Sequence, residues 1–185
     1  GLRLFNEARD VLYDLKNSHK GFFYSNPLSQ GLIAKSFELE GRWDRAENEY
    51  RFLAETFPTT AEGFSSYLHI INHYRENGPA HLLDTWRERA LEFFSEMALR
   101  NPGTGVEATA HSFKAEVYRG QDDWQKAVEE LTLVVQKFPS SSIGRRSALT
   151  GALIYRDKLN NQNMADSLID LYRKSFPGEH DESLL

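Results

Sequence analysis

The segment GRWDRAENEYRFLAETFP, residues 41–58, decides the fold because its pattern returns in QDDWQKAVEELTLVVQKFP, residues 121–139. Each segment contains a tryptophan, an alanine three positions later and a Phe-Pro pair at its end. Aligning Trp43 with Trp124 sets a constant offset between the two segments. The same offset aligns further alanine, phenylalanine and glycine residues: Ala34 with Ala115, Phe57 with Phe138 and Gly63 with Gly144. Because these positions are kept while the intervening residues differ, we infer that one packing unit has been duplicated.

Two more segments carry the same helical pattern, which is an alanine, apolar residues four and seven positions later, and a proline twelve positions later. The pattern starts at Ala46, Ala90, Ala127 and Ala165. The spacing puts these side chains on one face of a helix, and the proline marks where the helix has ended. An amphipathic segment precedes each helix, at roughly residues 28–40, 61–76, 105–119 and 142–158. The repeated order is therefore helix, turn, helix, proline.

The leading segment NEARDVLYDLKNSH has Ala8, Leu12 and Leu15 at the same spacing, which predicts the second helix of an incomplete pair. The alanines at the helix crossings, Ala34, Ala46, Ala115 and Ala127, are expected to let paired helices approach closely. The pattern predicts an all-α repeat domain over residues 1–185 with about nine helices. Its predicted parts are a half hairpin at 1–26, hairpins at 27–60, 61–104, 105–141 and 142–179, and a tail at 180–185.

This pattern resembles the tetratricopeptide repeat, a helix hairpin with small residues and aromatics at fixed positions. Residues 27–60 fit best, through Ala34, Phe37, Gly41, Trp43, Ala46, Tyr50, Leu53 and Pro58. The second clear copy has Asp122 where the first has the turn glycine. The resemblance implies a right-handed superhelical α-solenoid of stacked antiparallel helix hairpins. It also implies a role in binding a protein or peptide, through the concave groove or through long loops, rather than in catalysis.

The composition limits the possible functions. The net charge is −5, with 22 basic and 27 acidic residues interspersed, so no dense positive surface for nucleic acid is expected. The sequence contains no cysteine, which excludes disulfides and thiolate metal sites. Its longest apolar runs fall far short of the roughly 20 residues that a membrane span requires. A lipid anchor outside this sequence is compatible with these observations.

The resemblance also predicts which residues face a concave groove formed by the first helix of each pair. These are Lys35, Glu38, His69, Asn72, His73, Ser112, Glu116, Arg119 and Arg146, with Thr150 continuing the surface. Their mixed charges suit a ligand with both signs or with a hydrogen-bonding backbone better than a purely acidic tail. They also fit ordinary solvated residues. The carboxylate clamp of some family members needs Lys and Asn at set positions, where this chain has Gly31, Ser66 and Phe113.

Catalytic and metal signatures are weak. His69 and His73 lie four positions apart on one helix face, a spacing that can chelate zinc, but no third ligand is placed nearby by the sequence. Groove or packing histidines are the favoured interpretation. Carboxylates such as Glu47 and Glu49 fit the solvated faces of amphipathic helices. We therefore predict no catalytic residue, no cofactor and no metal.

The segments FPTTAEG, residues 57–63, and FPSSSIG, residues 138–144, resemble joints of bacterial envelope tetratricopeptide proteins, including outer-membrane assembly lipoproteins and Tol-Pal-associated coordinators. This resemblance implies a periplasmic or outer-membrane-associated scaffold. The same Ser and Thr residues would cap helices equally well in the cytoplasm, which is the alternative location. A second functional class also stays open, namely a regulatory or substrate-recruiting domain of a larger enzyme or sensor.

Overall fold

The computed structural model describes residues 2–18 and 25–177. These residues form nine α-helices and no strand. The helices are α1 (Leu2–Ser18), α2 (Ser25–Leu39), α3 (Trp43–Thr56), α4 (Ala61–Asn77), α5 (Ala80–Arg100), α6 (Gly105–Arg119), α7 (Trp124–Lys137), α8 (Ser142–Asp157) and α9 (Gln162–Ser175). This confirms the predicted all-α chain of helix hairpins. Within the described residues, no helix has both the length and the apolar character needed to cross a membrane.

The chain divides into two compact units, which we call unit 1 (Gly1–Glu88) and unit 2 (Arg89–Leu185), with the boundary inside α5. In unit 1, α2 packs against α1 and α3, and α4 packs against α3 and contacts α2. In unit 2, α7 packs against α6 and α8, α9 packs against α8, and α6 also contacts α8. Each unit therefore stacks its helices in chain order. One repeat domain over residues 1–185 stays a prediction.

The turn between the two helices of a hairpin needs one residue in the left-handed conformation. In unit 1 this residue is Gly41, with φ of 78°, and its equivalent in unit 2 is Asp122, with φ of 57°. Aspartate is among the few non-glycine residues that adopt this conformation readily. The next residue, Asp123, accepts a hydrogen bond from the backbone N–H of Lys126 and caps α7. Asp122, in place of glycine, therefore forms the same turn.

The Phe-Pro joint joins one hairpin to the next through a short hydrogen-bonded turn. In unit 1, the Thr60 hydroxyl donates to the carbonyl of Phe57 and accepts from the backbone N–H of Gly63. A Cβ on Gly63 would lie 2.1 Å from the Phe57 carbonyl oxygen, so no side chain fits there. The equivalent residues of unit 2, Phe138, Ser141 and Gly144, repeat these contacts. The recurring Phe, Thr or Ser, and Gly thus have a local structural cause.

The alanines predicted at the helix crossings are buried without any exposed area: Ala34, Ala46, Ala115 and Ala127. In unit 2 they join a core that includes Leu131, Ala148 and Leu168. In unit 1 the largest buried side chains include Tyr50 and Phe64. The small side chains permit close helix packing while the large ones fill the adjacent space, as the repeat pattern predicts.

The predicted packing face of α1 is wrong at Ala8. Ala8 is exposed, whereas its neighbour Arg9 is 4% exposed. The Arg9 guanidinium lies 2.8 Å from the Glu40 carboxylate and 4.3 Å above the Phe37 ring. Because a buried arginine needs an ionic partner, α1 turns this side chain toward α2 rather than its alanine. Leu12 is half-buried, and the side chain of Leu15 lies outside the described residues.

Candidate functional site

The predicted groove residues of unit 1 contact one another on α2 and α4. Lys35 Nζ lies 2.6 Å from Glu38 Oε1, and His69 Nδ1 lies 3.6 Å from Glu38 Oε2. The Tyr50 hydroxyl, from α3, donates to Glu38 Oε2 at 2.6 Å. Burial raises the pKa of the Glu38 carboxyl, but the hydrogen bonds from Lys35 and Tyr50 outweigh it and the net pKa is lowered. Asn72 is exposed on α4.

The two histidines of α4 stack on aromatic rings of α3. The His69 ring lies 4.7 Å from the Tyr50 ring at an angle of 7°, and the His73 ring lies 3.5 Å from the Trp43 ring at 5°. Burial lowers the pKa of both histidines. Two stacked ring pairs therefore cover this part of the surface of unit 1. Within the described residues, no three His, Cys, Asp or Glu side chains come together as a metal site would require.

Glu47 and Glu49 do not lie on solvated faces as predicted, because both are half-buried and hydrogen-bonded. The Glu47 carboxylate accepts from Trp43 Nε1 at 3.1 Å and from the Tyr74 hydroxyl at 2.5 Å. Glu49 accepts from the side-chain amide of Gln30. These acids satisfy polar groups inside the hairpin interfaces, which a helical periodicity does not reveal.

Unit 2 contains a cavity of about 330 Å³, here called the α6–α8 cavity. Helix α6 lines it with Ser112, Phe113, Glu116 and Arg119. Leu131 of α7 and three residues of α8, Arg146, Ser147 and Thr150, complete the lining. The structure thus brings all four predicted groove residues of unit 2 to one cavity, together with Thr150. Ser147 and Leu131 were not predicted.

The cavity lining contains polar hydrogens without acceptors. Glu116 Oε1 lies 2.6 Å from Arg119 Nη1, but the buried Nε of Arg119 has no hydrogen-bond partner among the described residues. The Oγ of Ser147, a residue 1% exposed, also has no partner there. Arg146 is exposed and forms no ion pair within the described part of the chain. Because buried polar groups are normally paired, two such atoms in one cavity require an explanation.

The alignment of the two copies explains why the cavity exists. Tyr50 and His69 of unit 1 correspond to Leu131 and Thr150 of unit 2. In unit 1 the Tyr50 ring and the His69 ring stack and occupy the space between α2 and α4. Leucine and threonine are smaller and cannot stack, so the corresponding space between α6 and α8 stays open. The aligned sequence contains this signal, since both aromatic rings are replaced together.

A serine of α4 and its equivalent in α8 differ in their hydrogen bonds. Ser66 is fully buried and its hydroxyl donates to the Glu62 carbonyl at 2.8 Å, one turn earlier in the helix. Ser147, its equivalent, makes no such bond to any described residue. The same residue type is therefore satisfied by its own helix in unit 1 and left without a partner at the cavity in unit 2.

An ionic network that the sequence did not predict holds α6 against α7, and its two carboxylates are buried. Glu130 accepts from Lys114 Nζ at 2.5 Å and lies 2.5 Å from His111 Nδ1. Glu107 lies 2.5 Å from Lys137 Nζ. Burial raises the pKa of Glu130, but the bonds from His111 and Lys114 outweigh it and lower the net pKa. This network lies in the hairpin interface and orders the helix that supplies four of the cavity residues.

The fold and the α6–α8 cavity define a class of protein. It is an all-α protein of stacked helix hairpins, with small residues at the helix crossings as in a helical repeat. Within it, residues 114–141 match the family model described as Tetratricopeptide repeat. The matched segment begins inside α6, contains α7 and ends at the cap of α8. Such repeats typically bind proteins or peptides.

The chain is also similar to a solved helical-repeat structure, described as the crystal structure of BtubC (BKLC) from P. vanneervenii. The likeness covers 96% of this chain and 77% of that chain, with a TM-score of 0.56 and 14% sequence identity. At that identity it shows the fold alone. The sequence has no significant match among curated proteins.

Proposed function

We propose that the chain is a non-enzymatic interaction module that binds a segment of a protein partner in the α6–α8 cavity. The observation that carries this proposal is that two residues lining a cavity of about 330 Å³, Ser147 and Arg119, each have a buried polar atom without a hydrogen-bond partner among the described residues. The similarity of residues 114–141 to a tetratricopeptide repeat supports a protein or peptide as the ligand.

The size and lining of the cavity suit a short extended segment. Its volume is near the lower end of the roughly 300 to 1,000 Å³ found for ligand pockets, so it accommodates one or two side chains rather than a folded domain. Phe113 and Leu131 offer apolar contact, while Arg146 and the hydroxyls of Ser112 and Thr150 offer polar contact. A peptide presents both kinds of group along its length.

The predicted groove residues of unit 1 have a smaller place in this proposal. Lys35, Glu38 and His69 already satisfy one another, and His73 is stacked on Trp43. A ligand would have to break these contacts before gaining its own. We therefore assign the principal ligand contacts to residues of unit 2. A ligand contact at Asn72 and the other groove residues of unit 1 stays a prediction.

The test is a variant that closes the cavity with the side chains of unit 1, Leu131→Tyr with Thr150→His. A random peptide display library is selected on the wild-type chain, and the selected peptides are measured by fluorescence polarisation. We expect the variant to weaken binding at least tenfold. A matched control, Leu133→Tyr with Thr109→His, places the same side chains on residues that do not line the cavity and should bind normally. Equal binding by the filled variant would reject the cavity as the site.

We also propose that the interaction takes place in a bacterial envelope, in the periplasm or at the outer membrane. The support is the resemblance of the FPTTAEG and FPSSSIG joints to those of envelope proteins, together with the lack of cysteine. Fractionation of cells that produce the native gene product tests it. A product retained in the cytoplasmic fraction, and protected from protease added to spheroplasts, would reject this location.

A further inference from the structure

The α6–α8 cavity contains polar groups that donate hydrogen bonds and have no acceptor among the described residues. Arg119 Nε and Arg146 can only donate, because a guanidinium has no acceptor atom. The Ser147 hydroxyl can also donate, and its oxygen is withdrawn from water. The one acid of the lining, Glu116, is already engaged by Arg119. The lining thus carries two guanidinium charges against one carboxylate.

The equivalent site in unit 1 has the opposite arrangement. Glu38 of unit 1 is equivalent to Arg119 of unit 2, and Glu38 Oε2 accepts a hydrogen bond from the Tyr50 hydroxyl. The Ser66 hydroxyl is bonded to its own helix. Unit 1 therefore supplies its own carboxylate and satisfies it internally. Unit 2 has an arginine in that position, and Glu116, the only carboxylate among the described residues that line its cavity, is already paired.

This inference rests on the proposed function of the cavity. We propose that the α6–α8 cavity selects a peptide segment with an aspartate or glutamate side chain, whose carboxylate accepts hydrogen bonds from Ser147 Oγ and Arg119 Nε and pairs with Arg146. A carboxylate accepts several hydrogen bonds at once, and its bonds to arginine are roughly twice as strong as neutral ones. The methylenes of the acidic side chain would lie against Phe113 and Leu131.

The acidic group is assigned to a side chain rather than to the end of a chain. The two unpaired atoms are withdrawn from water, while Arg146 is exposed. Water does not contact these atoms in the free protein, so a ligand contact requires a small movement of the lining, and a carboxylate on a narrow methylene stem requires less of it than a terminal carboxylate. A terminal carboxylate is attached directly to a branched Cα, so its own side chain and backbone approach the lining with it. The donors also differ from the Lys and Asn positions of the carboxylate clamp, where this chain has Gly31, Ser66 and Phe113.

The experiment uses the whole 185-residue chain and four fluorescent pentapeptide libraries. Three libraries are acetylated and amidated and have a central Glu, Gln or phosphoserine between random residues. The fourth has a free C-terminal carboxylate and no acidic side chain. We expect the Glu library to bind at least tenfold more tightly than the Gln library, and this preference to shrink with added salt.

Two variants assign the effect to the named groups. Arg146→Gln should remove most of the preference for Glu over Gln, whereas Arg173→Gln, an exposed arginine of α9 outside the cavity, should keep it. Ser147→Ala should weaken binding of the Glu library about fivefold or more without lowering stability, because its hydroxyl has no partner among the described residues to lose in the free protein.

The outcomes separate the failure of this inference from that of the proposed function. Equal binding of Glu and Gln libraries, both lost in Leu131→Tyr with Thr150→His, would leave the cavity as a peptide site and reject the acidic side chain. Tighter binding of the phosphoserine library or of the free carboxylate library would reject the side-chain carboxylate as the source of the charge. Binding of no library, or equal binding by the filled variant, would reject both proposals.

Discussion

Tyr50 of unit 1 and Leu131 of unit 2 stand at equivalent positions of the two copies, and their surroundings differ. The Tyr50 ring stacks on His69 and its hydroxyl bonds to Glu38. Leu131 lies at a cavity of about 330 Å³ whose polar groups include two without partners in the described part of the chain. One region of the duplicated scaffold is thus filled by its own side chains, whereas the other is left open.

The two equivalent ion pairs carry their positive and negative charges in opposite order along the helix. Lys35 and Glu38 form a pair at 2.6 Å in α2, and their equivalents Glu116 and Arg119 form a pair at 2.6 Å in α6. The spacing along the helix is the same in both pairs, so the helix accepts either order. The hairpin framework therefore constrains the small and apolar positions, whereas the order of its surface charges differs between the two copies.

The largest expected effect concerns the joints, in which the two regions are alike. Gly63→Ala and Gly144→Ala should each lower the free energy of unfolding by about 3 kcal/mol, because the new Cβ would meet a carbonyl oxygen at 2.1 and 2.0 Å. Urea unfolding followed by circular dichroism measures both. Gly31→Ala, whose nearest contact would be an ordinary 3.5 Å, is the control and should not destabilise. Clearly unequal losses at the two joints would break their equivalence.

A second prediction contrasts Glu130 of unit 2, which is buried, with its half-buried equivalent in unit 1, Glu49. Glu130→Gln should cost about 2 kcal/mol, because Glu130 bonds to both His111 and Lys114. Its equivalent Glu49 bonds to the neutral Gln30, so Glu49→Gln should change the free energy of unfolding by less than about 0.5 kcal/mol. Urea unfolding at pH 7 gives both values.

The stability that Glu130 contributes should depend on pH in a defined way. The pKa of Glu130 is lowered in the fold, so its contribution is complete above its ordinary value of 4.5 and is lost as the pH falls through the lowered value. The wild type and Glu130→Gln should therefore converge in acid. A difference that stays constant from pH 7 to pH 3 would show that the charge is not its cause.

A smaller effect is expected for the two equivalent serines. Ser66→Ala removes a hydrogen bond to the Glu62 carbonyl, whereas Ser147→Ala removes a hydroxyl without a partner among the described residues. Both changes raise helix propensity equally, so the comparison isolates the hydrogen bond. We expect Ser147→Ala to be the more stable of the two by about 1 kcal/mol in urea unfolding. The reverse order would mean that the Ser147 hydroxyl is satisfied in the free protein.

The smallest effect concerns the stacked histidines, which have no counterpart at the equivalent positions of unit 2. Burial lowers the pKa of His69 and His73, so the unfolded chain binds more protons below about pH 6.5 and stability falls as the pH drops through that range. His69→Gln with His73→Gln should reduce this loss by a few tenths of a kcal/mol. Thermal unfolding measured from pH 7.5 to pH 5.5 checks it, and parallel curves for wild type and variant would count against it.

Much of the scaffold could be predicted because its signals are local and periodic. The alanine, the apolar residues at four and seven positions, and the proline predict each second helix, and Ala46 and Ala127 are buried as expected. The face of α1 could not be predicted, because the Arg9 side chain finds its ionic partner in Glu40, the residue just after the end of α2. An ion pair between residues so far apart in the sequence is not indicated by the hydrophobic period of a helix.

The sequence by itself determined the hairpin repeat, the crossings, the joints and the positions of Ser112, Glu116, Arg119 and Arg146 on the first helices of their pairs. These features depend on side-chain size and on spacings within about one helical turn. Only the tertiary structure decided that Ser147 and Arg119 line a cavity and keep polar groups without a partner among the described residues, while Ser66 and Glu38 are satisfied in unit 1. The physical reason is that filling the space between the helices, and satisfying a carboxylate such as Glu38, depend on side chains from three helices at once.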